Sequence, residues 1–283
     1  MVFLQGYLLG MRAKKRLDTV LVERGLFESR SKASASVLAG AVRIGPGRER
    51  AAKPGMLVAE GIELDVERGP RYVSRGGLKL ERALGCFGVA PAGRLCLDVG
   101  ASTGGFTDVL LAGGAGRVVA LDVAYGELHW KLRQDPRVTV VERTNARSLE
   151  PGDLPYAPDL IVIDVSFIGL EKLLPAVAGC AAASFDLVAL VKPQFELGRE
   201  RVGKGGVVRR PKDRLEALVR VGEAARSLGL SVQGFCASGL PGPAGNRESF
   251  IWCTEGAREG VADLVAASRV AEPEARETVG APR

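Results

Sequence analysis

Four ionisable side chains stand where an α/β protein commonly keeps its chemistry: Lys79, Asp164, Lys192 and Glu248. Asp164 ends the apolar run Leu160-Ile161-Val162-Ile163, and Lys192 ends Leu187-Val188-Ala189-Leu190-Val191 just before Pro193. Lys79 follows Gly76-Gly77, and Glu248 enters a last apolar run after Asn246-Arg247. In an open α/β sheet, ligands bind beyond the carboxyl ends of the strands, so these groups can converge there. Glu248 precedes its strand, so that strand must run antiparallel for Glu248 to reach the same edge. Two amines and two carboxylates suit the activation of a poor nucleophile such as a ribose 2′-hydroxyl. A lysine beside a second cation and away from water can take the hydroxyl proton, while the carboxylates orient the amines and the hydroxyl. One lysine at a strand end is commonly just a solvated group; the set of four carries the reading.

A second signal precedes them. The run Leu95-Cys96-Leu97 leads into Asp98-Val99-Gly100-Ala101-Ser102-Thr103-Gly104-Gly105-Phe106, read as strand, small-residue turn and helix start. Its glycines allow a tight turn and a close approach to a ligand. Asp122, followed by Val123, ends the next apolar run, where a carboxylate would bind the ribose hydroxyls of a nucleotide-like cofactor. The spacing departs from G-x-G-x-x-G, an acidic residue in the glycine loop would repel a pyrophosphate, and no Gly-Lys-Ser/Thr ending is present. A phosphate-free cofactor such as S-adenosylmethionine fits better, with Asn145-Ala146 expected beside its adenine. With a reactive methyl sulfonium, in-line positioning supplies much of the acceleration.

Other methyl-transfer chemistries leave marks that are missing. Amino methylation commonly uses Asp/Asn-Pro-Pro-aromatic, whereas this chain has Asp164-Val165-Ser166-Phe167. No cysteine nucleophile lies near Lys192-Pro193-Gln194. The single histidine, His129, argues against a histidine-rich metal site and a Ser-His-Asp device, so no metal is expected. The five cysteines (Cys86, Cys96, Cys180, Cys236, Cys253) form no CxxC pair and are expected as reduced, mostly buried thiols of a cytoplasmic protein. No apolar stretch reaches membrane-spanning length, which argues against a membrane-lysing role. Met11 is an alternative start, making residues 1–10 an extension.

The 283 residues suffice for one large and one small domain. Residues 1–74 hold 13 Lys/Arg against 8 Asp/Glu, most of the net charge of +6, which suggests a polyanionic partner. That segment reads as two short helices, one ended by Gly25 and one capped by Ser29 and stopped by Gly40, then short strands at 41–44, 57–58 and 63–66. Arg12, Lys14, Lys15, Arg16, Arg30 and Lys32 are its candidate phosphate contacts. After it, apolar runs at 95–99, 118–121, 138–141, 160–163, 187–191, 230–236 and 250–253 alternate with helical segments near 78–84, 106–112, 127–134, 170–182 and 213–228. That alternation predicts an α/β, mostly parallel, Rossmann-like sheet with helices on both faces. The last two runs are joined too closely for a crossover helix and predict an antiparallel edge hairpin. A second basic run, Arg199, Arg201, Lys204, Arg209 and Arg210, carries Gly198, Gly203, Gly205 and Gly206 and reads as a mobile loop at the active-site rim.

The pieces Arg16-Leu17-Asp18, Glu23-Arg24-Gly25-Leu26, Ser29-Arg30-Ser31-Lys32-Ala33 and Leu38-Ala39-Gly40-Ala41-Val42 resemble the small RNA-binding domain of ribosomal protein S-four type. The whole chain resembles the TlyA (hemolysin A) family. The resemblance rests on Ser74-Arg75-Gly76-Gly77-Leu78-Lys79, the Asp98–Phe106 loop, Asp122-Val123, Thr144-Asn145-Ala146-Arg147, Asp164-Val165-Ser166-Phe167, Val191-Lys192-Pro193-Gln194-Phe195-Glu196 and Gly245-Asn246-Arg247-Glu248. It implies an RNA-binding domain at 12–66, a linker at 67–77 and an FtsJ-like methyltransferase domain at 78–255; the tail at 256–283 falls outside the match, and its Ala-, Glu- and Arg-rich composition reads as partly disordered. It further implies S-adenosylmethionine as donor, cytidine 2′-hydroxyls of ribosomal RNA within ribosomal subunits as acceptors, and a tetrad on Lys79, Asp164, Lys192 and Glu248. A monomer is the default expectation. The competing readings are a hemolysin and a non-catalytic RNA-binding assembly factor, and the intact tetrad argues against the latter.

Overall fold

The computed structural model describes residues 14–67 and 70–272. The chain divides into two compact units, Met1–Arg71 and Tyr72–Arg283. In the first, β1 (Lys14–Arg16) runs into α1 (Leu17–Glu23), followed by α2 (Arg30–Leu38), β2 (Val42–Ile44), β3 (Glu49–Arg50), β4 (Leu57–Ala59) and β5 (Leu64–Val66). β1 pairs antiparallel with β4, and β3-β2-β5 form a second antiparallel sheet. Leu17, Val20 and Leu21 of α1 pack on Ala33 and Val37 of α2, with Val42 and Val58 closing the core. Ser29 caps α2 by accepting the Lys32 N–H at 3.3 Å. Strands β1 and β3 were not expected, because charged residues flank β1 and turn residues flank β3. Arg12, the first expected phosphate contact, lies outside the described residues.

The second unit begins with α3 (Arg75–Phe87), followed by β6 (Leu95–Val99), α4 (Gly105–Ala112), β7 (Arg117–Leu121), α5 (Trp130–Arg133), β8 (Val138–Val141), β9 (Leu160–Ile163), α6 (Leu174–Gly179), β10 (Asp186–Val191), α7 (Pro193–Glu196), α8 (Pro211–Ser227), β11 (Ser231–Ala237), β12 (Ser249–Thr254) and α9 (Leu264–Ser268). Residues 72–77, expected in a linker, therefore belong to this unit, and the first helix starts three residues before Leu78. The seven strands order as β11-β12-β10-β9-β6-β7-β8. Only β12 runs against its neighbours, pairing antiparallel with β10 and β11, as the short connection demanded. Strand residues alternate between two apolar layers. Leu97, Val99, Ile161, Ile163, Leu187 and Ala189 face α6 and α8, while Cys96, Val118, Leu160, Val162, Val188 and Phe250 face α3 and α4.

Two expected helices are shorter. The segment 170–182 divides into a 3₁₀ turn (Leu170–Lys172) and α6, whose first turn holds Pro175; proline lacks an N–H and suits a helix start. The segment 127–134 contains only α5, capped by the His129 side chain accepting the Lys131 N–H at 3.2 Å. In the tail, α9 occupies Leu264–Ser268, and residues 273–283 lie outside the described part. All five thiols are free: Cys86 is exposed and the other four are buried.

Candidate active site

The sheet register brings the four ionisable residues to one edge. Val191 pairs with Ser249 across β10 and β12, so the next residues outward, Lys192 and Glu248, emerge together. Ala189 pairs with Ile163 in the parallel ladder, which brings Asp164 to the same edge. Lys79 reaches it from the second turn of α3. Two ion pairs result. Lys79 Nζ donates to Glu248 Oε2 at 2.5 Å, with the side chains only 8% and 1% exposed. Lys192 Nζ lies 2.6 Å from Asp164 Oδ1 at an angle outside hydrogen-bond geometry, and donates to Ser166 Oγ at 3.0 Å. Glu248 Oε1 is buried without a hydrogen-bond partner among the described residues. All four line one cleft of about 390 Å³, together with Ser74, Arg75, Gly76, Gly100, Ala101, Ser102, Thr103, Gly105, Phe106, Ser166, Pro241 and Pro243.

A second cleft of about 380 Å³ holds Asp122, Val123, Asn145 and Ala146, with Glu127, Thr144, Val165, Phe167, Ile168 and Leu173. It shares Gly100, Ser102, Asp164 and Ser166 with the first, so the two clefts meet at the end of β6. Both volumes lie in the range of small-molecule sites. Asp122 Oδ2 accepts the Ser102 N–H at 2.7 Å and Oδ1 accepts the Ala124 N–H at 2.8 Å. Asp122 thereby anchors the glycine loop as well as facing the cleft. Asn145 Oδ1 accepts the Arg147 N–H at 3.1 Å, capping a 3₁₀ turn (Ala146–Ser148).

Two loop residues expected at the donor stand away from both clefts. Asp98 lines neither cleft. Strand alternation turns it onto the α4 face, where it is fully buried and accepts Thr107 Oγ1–H at 2.6 Å; burial pushes its carboxyl up to about 7. Gly104 also lines neither, and a Cβ there would meet Leu132 at 2.2 Å. The glycines answer first to the protein's own packing: a Cβ at Gly100 (φ +84°) would fall 2.4 Å from the Asp164 carbonyl oxygen, and one at Gly105 would fall 2.1 Å from Ser74 Oγ. Phe106 packs against Phe250 at 6.0 Å while contributing to the first cleft wall.

The basic residues are mostly engaged at the surface. Lys15 pairs with Glu23 at 2.8 Å and Glu60 at 3.1 Å, Arg16 with Asp18 at 2.7 Å, Arg30 with Asp18 at 3.5 Å, and Lys32 with Glu28; Lys14 is exposed. In the second run, Arg199 falls in a 3₁₀ turn (Arg199–Arg201), Arg201 pairs with Glu216, and Lys204, Arg209 and Arg210 are exposed. That run was expected as a loop at the active-site rim, yet none of it lines either cleft. It borders a separate depression that also contains Glu200, Asp213 and Glu216. Its glycines build a tight hairpin in which Gly203 bridges to Val207.

Several site residues were not singled out from sequence. Ser166 holds Lys192, Arg75 donates to the Pro241 carbonyl at 3.3 Å, and Phe167 is 92% exposed with φ +67°, its ring 5.4 Å from Phe195. Each lies within two residues of a recognised motif residue or inside the motif itself. Glu196, from the same helix as Phe195, accepts the Leu170 N–H at 3.1 Å and so pins the far end of the Asp164 loop; burial pushes its carboxyl up to about 7.

Comparison with known proteins shows the family. Residues 72–255 match the model of the FtsJ-like methyltransferase family. The chain is 51% identical over 246 residues to the 16S/23S rRNA (cytidine-2′-O)-methyltransferase TlyA of Mycobacterium tuberculosis, covering 86% of this chain and 90% of that protein. It is 41% identical over 195 residues to hemolysin A of Brachyspira hyodysenteriae, covering 69% and 80%. A solved structure from Streptococcus thermophilus, described as a hemolysin, superposes with a TM-score of 0.69 at 40% identity, covering 94% of this chain and 98% of that one. No helix among the described residues is long and apolar enough to cross a membrane. With these matches spanning most of its length, the chain belongs to the FtsJ-like methyltransferases, in their TlyA (hemolysin A) branch.

Proposed function

We propose that this protein transfers the methyl group of S-adenosylmethionine to the ribose 2′-hydroxyl of cytidine in ribosomal RNA, in the cytoplasm. The observation that carries the reading is the junction of the two clefts, with the Lys79–Glu248 and Lys192–Asp164 pairs in one and Asp122 in the other. The Mycobacterium tuberculosis relative named for this reaction supports the substrate. The residues present fit the donor: Asp122 offers acceptor lone pairs to ribose hydroxyls, and Val123, Ala146, Val165 and Leu173 offer an apolar seat for adenine. S-adenosylmethionine supplies an electrophilic methyl carbon on a sulfonium.

The chain's own residues then have to hold a hydroxyl oxygen in line with that carbon and remove its proton. Lys192 Nζ, once it has given its own proton to solvent, takes the hydroxyl proton as the oxygen–methyl bond forms and the sulfur–methyl bond breaks. Asp164 and Ser166 fix the direction of that amine. The buried Lys79–Glu248 pair walls the other side. Preorganised groups of this kind need not reorganise as charge moves. The first unit, with Lys14, Lys15, Arg16, Arg30 and Lys32, holds RNA phosphates as an S-four-type domain. Arg201, Lys204, Arg209 and Arg210 add contacts beyond the clefts.

Incubating the protein with labelled S-adenosylmethionine and unmodified ribosomal subunits tests the reading. Label on the 2′-oxygen of cytidine is the expected result. Label confined to bases or protein, or none at all, overturns it.

A further inference from the structure

Asn246 is 1% exposed and sits two residues before Glu248, yet it lines neither cleft. Its side chain reaches a single hairpin through both of its polar atoms. Oδ1 accepts the Val208 N–H at 2.9 Å, and Nδ2 donates to the Gly206 carbonyl at 2.7 Å. Those two partners belong to the tight hairpin of the basic run, whose Gly203 N–H donates to Val207 at 3.1 Å and whose Gly206 N–H donates to Gly203 at 3.0 Å. A side-chain amide that satisfies one backbone donor and one backbone acceptor replaces a strand partner for that hairpin, and burial makes each bond costly to lose.

The main chain of Asn246 points the other way. Its carbonyl accepts the Gly242 N–H at 2.9 Å, and Gly245 N–H donates to the Gly242 carbonyl at 2.9 Å, closing a turn over 242–246. Gly242 is the surface against which Glu248 rests: a Cβ there would fall 2.2 Å from Glu248 Oε1. One buried residue thus joins the segment carrying Lys204, Arg209 and Arg210 to the turn that sets the free oxygen of Glu248.

We propose that Asn246 is a positioning residue that couples the basic 198–210 segment to Glu248, so that the grip of this segment on RNA and the placement of the Glu248 carboxylate are set together. The inference rests on the proposed methyl transfer to RNA. It gives the basic segment a route to the reaction although it lines neither cleft.

The test compares wild type, Asn246→Ala and the isosteric Asn246→Asp, which keeps the acceptor for Val208 and loses the donor to Gly206. Three quantities are read on the full-length protein: kcat with ribosomal subunits, Kd for S-adenosylmethionine, and hydrogen exchange of the Val208 amide. Asn246→Ala is expected to lower kcat at least tenfold, leave Kd within twofold and speed Val208 exchange at least tenfold; Asn246→Asp should lower kcat with less change in exchange. A cycle with Arg209→Ala/Arg210→Ala should be non-additive in kcat/KM by at least fivefold, since coupled residues fail to add. Unchanged kcat in both variants, or a purely multiplicative cycle, overturns the coupling. Should wild type itself transfer no methyl to RNA, the proposed reaction is what fails. The exchange measurement then decides the Asn246 clasp alone: unchanged Val208 exchange in Asn246→Ala removes it. If Asn246→Ala does not fold, kcat of Asn246→Asp decides the coupling, and an unchanged value overturns it.

Discussion

Both units pair lysines and arginines with carboxylates, and they do so to opposite ends. In the first unit the pairs Lys15–Glu23 and Lys32–Glu28 sit in water, with Lys15 and Lys32 side chains 36% and 64% exposed. Such pairs are screened by salt and contribute little to stability. Their cations can leave a carboxylate for a phosphate without disturbing the fold. In the second unit Lys79 and Glu248 are almost fully enclosed, where the attraction is strong but desolvation is costly. A pair of that kind fixes a geometry rather than adding stability. The first unit therefore offers exchangeable charge, and the second offers charge held in place. Asp18 is intermediate: Arg16, with Arg30 beyond it, holds its carboxyl down to about 2 although it is buried.

The largest effect expected from breaking this contrast is at Lys192. Lys192→Ala should lower methyl transfer by at least about a thousandfold, the range of a lost general base together with its positioning, while the circular dichroism spectrum stays that of wild type. Lys192→Arg should not restore activity, because a guanidinium does not deprotonate at working pH. An active arginine variant would leave Lys192 only an electrostatic part.

Next comes the buried pair. Lys79→Met should destabilise the second unit by about 3–5 kcal/mol in urea titration, because Glu248 is left charged and enclosed. Lys79→Met/Glu248→Gln should recover much of that stability and none of the activity. The matching change in the first unit, Lys15→Met, should leave the urea midpoint nearly where it was. Equal losses in the two units would erase the distinction drawn between them.

Asp122→Ala is expected to weaken S-adenosylmethionine binding by about 1–3 kcal/mol in calorimetry, since a charge-assisted hydrogen bond is lost. Because Asp122 also holds the Ser102 amide, hydrogen exchange there should quicken in the same variant. Unchanged affinity would take Asp122 out of the donor site.

The smallest effects per residue belong to the exchangeable cations. Replacing Lys14, Lys15, Arg16, Arg30 and Lys32 by glutamine, one at a time, should each flatten the log–log salt dependence of RNA binding by about 0.7–0.9 where a phosphate contact is lost. Affinity for S-adenosylmethionine should not move. A salt slope indifferent to all five substitutions would assign RNA capture elsewhere.

The amino-acid order by itself determined the alternation of strands and helices, the antiparallel last strand and the residues at the strand ends. Each follows from short-range rules: apolar runs bounded by turn residues, a serine cap before α2, and a connection too short for a crossover. The edge positions of Asp164, Lys192 and Glu248 follow for the same reason, since a polar residue flanking an apolar run leaves the sheet at its edge; Lys79 lies on α3 and follows no such rule. The tertiary structure alone decided which lysine meets which carboxylate. Lys79 and Glu248 are 169 residues apart, and nothing local in either segment selects the other. It also decided the fate of Asp98, which belongs to the glycine-loop motif yet points into the α4 layer because strand side chains alternate faces. The basic run is a further case: Asn246, 40 residues away from Gly206, gives its hairpin a partner that no local pattern selects. Local pattern fixes where a side chain leaves the backbone, but only packing fixes what it finds there.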